Sequence, residues 1–546
     1  MERIENKVKN QMKELNNVDY PDFDQMWSSI QQDELKVAGG EPVVLRPRKR
    51  KRFALVAGLS VALMATPVYA ALNYDWSSML SHREGIQSAL EQGLGQTIEQ
   101  SVTKEGVTLT VHTAFIDENR TVVLYSLKPE TSQDVTDIDF KLIGLKDSKG
   151  NFIEGNNRYK WNKDLGEFQG YFETDWVGEG QTTDVEFIME NIQFIGNKKQ
   201  SISYNPNDSN TQVLPIQKDG IDSVTLQSFE QAEGKVLLKS ETKLTDPEMQ
   251  NRHIDFEAIN DVDKSIKKAE SFSFSFHDER TNTSQIYKSD TLREEGTKFQ
   301  LSYDHILETK ENTWSINMNL SKKQMENGSF KQVLDIPMDN VPGGTKIHEM
   351  KVTPTQVRLK ITQEDYYTLP FREYQLDVGG TLLNGYLMGK GQEELRFEVV
   401  GLDAASLANQ PITLVAKHRI DGFYGDENDK PIHLTDISEK HQTATSSIAG
   451  YPISWTYYLK DNNLYVETLS SDPTFGGVER TYYLDGKEQN LGKPEYALMG
   501  AYGDNGSNKS MDVYENFDKK ELDIYIYSYG INKPNEELRI PLKSGK

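Results

Sequence analysis

Residues 53–72 (FALVAGLSVALMATPVYAAL) form the only long uncharged run in the chain, and the basic cluster RPRKRKR, residues 46–52, stands directly before it. Twenty helical residues rise about 30 Å, the thickness of a bilayer's hydrocarbon core. The cluster supplies Arg46, Arg48, Lys49, Arg50, Lys51 and Arg52, and the first charge after the run is Asp75. A Lys/Arg excess on one flank places that flank in the cytoplasm. The sequence therefore predicts a single-pass plasma-membrane protein, N-terminus inside and C-terminus outside, with these six cations anchoring it at the lipid headgroups. Tyr69, Tyr74 and Trp76 fall where an interfacial aromatic belt belongs, and Pro67 is compatible with a span. The competing reading is a signal peptide cleaved after Ala70, because Val68-Tyr69-Ala70 resembles a small-residue cleavage site. A leader preceded by 52 residues would be far longer than the usual form, which favours the retained anchor.

Charge divides at the same place. Residues 1–52 carry 11 Lys/Arg against 9 Asp/Glu, leaving 50 against 75 for the remainder. So acidic an outer surface excludes nucleic acid and anionic lipid as partners held by bulk charge. Cysteine is absent, which excludes disulfides, zinc–thiolate sites and a Cys nucleophile. The outer region must then be stabilised by its cores.

The inner piece, residues 1–45, reads as two short amphipathic helices and a linker. Ile4, Val8, Met12 and Leu15 recur at helical spacing, and after a break at residues 16–21 a second stripe places Phe23, Met26, Trp27 and Ile30 on one face. Helices this short cannot bury a core alone, so their stripes need a partner. Trp27, with Phe23, Met26 and Ile30, is the candidate partner-binding face. Residues 46–52 follow as a basic linker.

Beyond the span the pattern changes to mainly β. A juxtamembrane helix is expected over residues 85–101, from Ile86, Leu90, Leu94 and Ile98. Alternating runs then pair across turn residues: 107–115 with 121–127 about Asp117-Glu118-Asn119-Arg120, 223–229 with 235–241, 349–353 with 356–362 about Pro354-Thr355, and 455–459 with 464–468. The fold class expected is a mainly β protein: N-terminal helices, one transmembrane helix, then tandem extracytoplasmic β-sandwich (Ig-like) modules. Breaks at Leu214-Pro215, at residues 341–344 and near Ala449-Gly450 place those modules at residues 73–215 (with the juxtamembrane helix), 216–341, 342–449 and 450–546.

Chemistry is sparse. The nine histidines are scattered, and no His-Glu-x-x-His, Gly-x-Ser-x-Gly or phosphate-binding glycine loop occurs. His277-Asp278-Glu279 reads as a charged turn after an alternating strand. Asp421, Asp426, Glu427, Asn428 and Asp429 cluster oxygen donors without the register of a calcium loop, so a solvated loop is expected. Tyr457-Tyr458, Tyr482-Tyr483 and Tyr525/Tyr527/Tyr529 read as cross-strand packing. The expectation is a protein that is not an enzyme and has no cofactor, no metal site and no catalytic residue.

The segments LNYDW (residues 72–76), LSHREGIQSALEQGLG (80–95) and VTLTVHTAF…TVVLY (107–125) resemble the DUF4179 family. These are single-span proteins of low-GC Gram-positive bacteria described as anti-sigma factors, negative effectors of extracytoplasmic-function sigma factors. The resemblance covers about residues 1–200. It implies that the cytoplasmic segment holds a sigma factor and that the ectodomain senses an envelope ligand or protein. Zinc-containing anti-sigma domains carry His-x-x-x-Cys-x-x-Cys, and this chain has no Cys, so sigma binding would be metal-free and helical. The alternative is a surface-anchored extracellular binding or scaffold protein.

Overall fold

The computed structural model describes residues 76–77, 79–130, 134–231, 234–249, 252–260, 270–273, 280–365, 368–388, 394–425, 430–498 and 508–545. The inner helices, the basic cluster and the apolar run lie outside the described residues. Among the described residues no helix is long and apolar enough to cross a membrane. What is described is mainly β, and every strand pairing is antiparallel.

The four expected hairpins are present: Val107–Ile116 with Thr121–Pro129, Ile221–Gln231 with Lys235–Leu244, Lys346–Val352 with Gln356–Thr362, and Tyr451–Lys460 with Asn463–Ser470. The helix expected over residues 85–101 is shorter than its periodicity suggested. It runs Glu84–Glu91 and stops because Gly93 takes a left-handed conformation (φ +71°), with the Leu94 N–H returning to the Ala89 carbonyl. Ile98 belongs instead to strand Gln96–Lys104, rich in β-branched residues.

The expected tandem segments correspond to nested modules. Module I sandwiches a five-stranded sheet containing the Val107–Pro129 hairpin against the proximal halves of two long strands, Thr182–Ile202 and Thr297–Ser321. These two strands pair along most of their length and continue outward as one face of module II, the residues between them. Breaks of register near Glu308 and Asn312 let the pair bend between the modules. The second arm repeats the plan. Module III is a sheet coiled so that both its edges, Phe330–Pro337 and the end of Leu522–Lys543, reach one core. Strands Ile412–Tyr424 and Leu522–Lys543 run on from it, and the residues between them build module IV.

The expected boundaries fall inside these modules. Leu214-Pro215 lies in edge strand Gln212–Lys218, residues 341–344 form a turn bonded into the module III core, and Ala449-Gly450 is a two-residue hairpin turn with φ of +50° and +89°. Gly and Pro mark hairpin turns as readily as linkers. What continues across a module here is a strand, and its polar middle carries no apolar pattern to follow.

One hairpin is buried on both faces at its tip. Ala114, Ile116, Val123 and Tyr125 enter the module I core, while Phe115, Val122 and Leu124 pack outward on Trp76, Leu80, Ile86 and Ala89. The stretch from Trp76 through the helix Glu84–Glu91 is thus a plug laid over the sandwich.

Candidate interdomain site

The buried hairpin tip delivers a guanidinium into the contact between modules I and III. Asp117 Oδ1 accepts from the Asn119 and Arg120 backbone N–H groups (2.7 and 2.9 Å), a side-chain-closed turn that aims Arg120 across the contact. Arg120 is only 1 % exposed. All five of its N–H donors are used. Nε donates to Thr355 Oγ1 (3.1 Å), Nη1 to Glu173 Oε1 (2.8 Å) and Glu398 Oε1 (2.9 Å), and Nη2 to the Thr355 carbonyl (3.0 Å) and Glu398 Oε2 (2.8 Å). Glu173 comes from module I, whereas Thr355 and Glu398 come from module III. A single side chain therefore ties two modules through residues 235 positions apart in sequence.

Around it the network closes. Thr355 Oγ1 donates to Asp117 Oδ2 (2.6 Å), Asn119 Nδ2 to the Gln356 carbonyl (2.9 Å), and Gln356 Nε2 to Glu398 Oε1 (2.9 Å). Beside it, Arg396 grips Asp175 with two parallel bonds (3.0 and 2.7 Å), and Arg358 adds a third (2.8 Å). The plug reaches the same cluster: Arg83 Nε donates to Glu173 Oε2 (2.7 Å), and the Gly85 N–H to Glu398 Oε2 (3.1 Å). A Cβ at Gly85 would run into the Thr355 carbonyl oxygen, so the helix can abut module III only with glycine there.

Electrostatics follow from this packing. Burial would raise the Glu173 carboxyl, but Arg120 and Arg83 outweigh it and hold the group below the usual carboxylate range. Burial opposes ionisation of Asp175 too, and Arg396 and Arg358 overcome it. Burial likewise works against the charge on Arg120, and Glu398 and Glu173 keep it firmly protonated. Each of these charges is compensated by its partners. The arrangement can hold or release a contact.

A second contact joins modules II and IV. Phe229 and Leu237 pack on Tyr458, Tyr465, Met511 and Val513. Lys460 Nζ sits 4.0 Å from the Phe229 ring centre and donates to the Ser228 carbonyl (2.9 Å).

Phe23, Met26, Trp27 and Ile30, and Arg46, Arg48, Lys49, Arg50, Lys51 and Arg52, lie outside the described residues, as do residues 277–279 and 426–429. Asp421 is bonded to Arg419 (2.7 Å) and Lys533 (2.7 Å). Among the described residues no three acidic or His side chains form a metal-holding group. The tyrosines pair across strands, with Tyr482 stacked on Tyr525 at 5.1 Å and Tyr458 on Tyr465 at 5.4 Å.

The fold and contact define a multi-module, mainly β protein whose plug, Trp76 through Glu91, is bonded to a buried charge cluster. The family model described as a domain of unknown function, DUF4179, matches residues 46–129, in agreement with the resemblance carried by residues 72–125. Among solved structures, "the conserved domain protein from Bacillus anthracis" is 12% identical and covers 42% of this chain and 92% of its own, with a TM-score of 0.16. A Ca2+-stabilized adhesin that helps an Antarctic bacterium bind ice is 12% identical over 64% of this chain and 90% of that one, with a TM-score of 0.10. The BSP domain of a biofilm-associated protein is 9% identical over 83% and 97%, with a TM-score of 0.09. Overlaps this low do not define a shared fold. No match was found among curated proteins.

Proposed function

We propose that the chain is a membrane-anchored regulator of the anti-sigma type. Residues 1–45 hold an extracytoplasmic-function sigma factor through Phe23, Met26, Trp27 and Ile30. Residues 53–72 span the plasma membrane, and the modules sense an envelope ligand or protein outside. The observation that carries this reading is the extent of the family match, residues 46–129. It starts on the basic cluster and ends with the hairpin whose tip is Arg120. The anchor, the plug and the hairpin that carries Arg120 thus lie within one matched segment, while Arg120's partners Glu173, Thr355 and Glu398 lie beyond it. On this reading the protein binds and relays, and is not an enzyme. A ligand that loosens the contact between modules I and III also frees the plug from Glu398.

The test is to recover the full-length chain from membranes, wild type against Trp27→Ala. The wild type is expected to bring down a sigma factor and repress its promoters. The variant should lose both, with membrane levels unchanged. Equal promoter activity in wild-type, Trp27→Ala and deletion cells would sink the proposal.

A further inference from the structure

Sheet edges are where one chain adds a strand to another, and natural edges are guarded by charge or proline. Among the described residues, the terminal strands of four residues or more follow that rule at every sheet but one, with guards such as Glu99, Arg158, Pro215, Asp255, Lys331 and Pro494. The exception is Gln442–Ile448 (QTATSSI) in module IV, which has neither charge nor proline. Its backbone partner among the described residues is Tyr451–Lys460 alone. Its inner side chains are committed, with Ala444 and Ile448 on the module core and Ser446 Oγ accepting from Trp455 Nε1 (2.8 Å). Its exposed side chains are Thr443, Thr445 and Ser447, three hydroxyls in a row.

We propose that this strand is a dimerisation edge, pairing antiparallel with the same strand of a second copy about a two-fold axis at Thr445. In that register Thr445 faces Thr445 and Thr443 faces Ser447, so every exposed position meets a hydroxyl. Cross-strand hydroxyl pairs stabilise antiparallel sheets, and this protein already uses them: Ser101 with Thr110 (2.8 Å), Thr103 with Thr108 (2.8 Å) and Thr468 with Ser510 (2.7 Å). An unrelated strand has no reason to match hydroxyls at all three positions, whereas the same strand reversed does so by symmetry. Copies with a net charge of −23 repel overall, so their association needs an edge that adds no like charges, and this uncharged strand is such an edge. The inference does not rest on the sigma-factor reading. It joins to it by supplying a change of oligomer that a single span can pass inward.

The absence of native cysteine makes disulfide trapping clean. Directly opposed residues of an antiparallel pair have Cα atoms about 4.5–5.5 Å apart, within disulfide range. In the full-length chain in membranes under mild oxidation, Thr445→Cys should give a covalent dimer. Thr443→Cys should stay monomeric, because its two copies lie four positions apart, about 13 Å. Thr443→Cys with Ser447→Cys should restore the dimer. Thr445→Lys, placing like charges on the axis, should weaken association about fivefold at unchanged thermal stability. Failure to crosslink at residue 445, equal crosslinking at 443 and 445, or capture of another polypeptide in place of a second copy would each overturn the proposal.

Discussion

The two arms touch through two contacts of opposite chemistry. Between modules I and III the contact is polar and directional: four of the five bonds from Arg120 reach Thr355 and Glu398 in module III, each with one acceptor in one place. Between modules II and IV it is made of Phe229, Leu237, Tyr458, Tyr465, Met511 and Val513, whose attraction scales with area and tolerates small shifts. A buried ion pair contributes little net stability over an apolar replacement, yet is costly to break once formed. The first contact therefore fixes register, and the second supplies adhesion. A relay needs the first kind, because a small displacement of the plug is enough to misalign it.

The sharpest way to break this comparison is to remove the guanidinium. Arg120→Ala leaves Glu398 buried without its cation and Glu173 with Arg83 alone, and should cost about 3–5 kcal/mol in denaturant unfolding. Arg120→Lys should recover only part of that, since an ammonium offers three donors against five in a fixed fork. Amide exchange should accelerate around residues 83–92 and 353–358 and stay slow at the strands carrying Phe229 and Tyr465. A loss below 1 kcal/mol would show that the charge cluster does not set the arrangement.

Next in size is Phe229→Ala, expected to cost about 2–3 kcal/mol. That is less than an equivalent cavity in a closed core, because modules II and IV can slide together over the gap. It should leave exchange near Arg120 unchanged. If instead both contacts loosen together, the arms are one cooperative unit and the division of labour is false.

The hairpins were legible because period-two alternation and Asp/Asn/Gly/Pro turns coincide, as at residues 107–127 and 455–468. The nesting was not. Strands Thr182–Ile202 and Thr297–Ser321 pass through polar stretches such as residues 196–201 and 307–313, where no apolar face is needed between two cores. The helix pattern of Ile86, Leu90, Leu94 and Ile98 misled past Gly93, because a strand residue can match a helical spacing by chance. The interdomain site was hidden for a different reason. Asp117-Glu118-Asn119-Arg120 has the composition of a solvated turn, and only the arrival of Thr355 and Glu398 from module III makes it an interior. Glu398 itself gives no local sign, because in Leu395-Arg396-Phe397-Glu398 it takes the polar position of an alternating strand.

The smallest effect expected is on pH. Glu173 and Asp175 titrate below their ordinary range in the folded protein. Each therefore contributes stability that is fully present above its unfolded value, about 4. That contribution fades as pH falls through the folded value, because protonation removes the partner of a buried guanidinium. Across neutral pH these two groups should have no effect. In the acid range the contact between modules I and III should weaken first. The contact between II and IV should persist, because acid leaves the Lys460 ammonium charged over the Phe229 ring. Exchange measured from pH 7 to pH 3.5 should open residues 117–120 and 353–358 before residues 229 and 465. Glu173→Gln should flatten that acid limb at the expense of neutral stability. Opening at the aromatic contact first would reverse the ranking of the two.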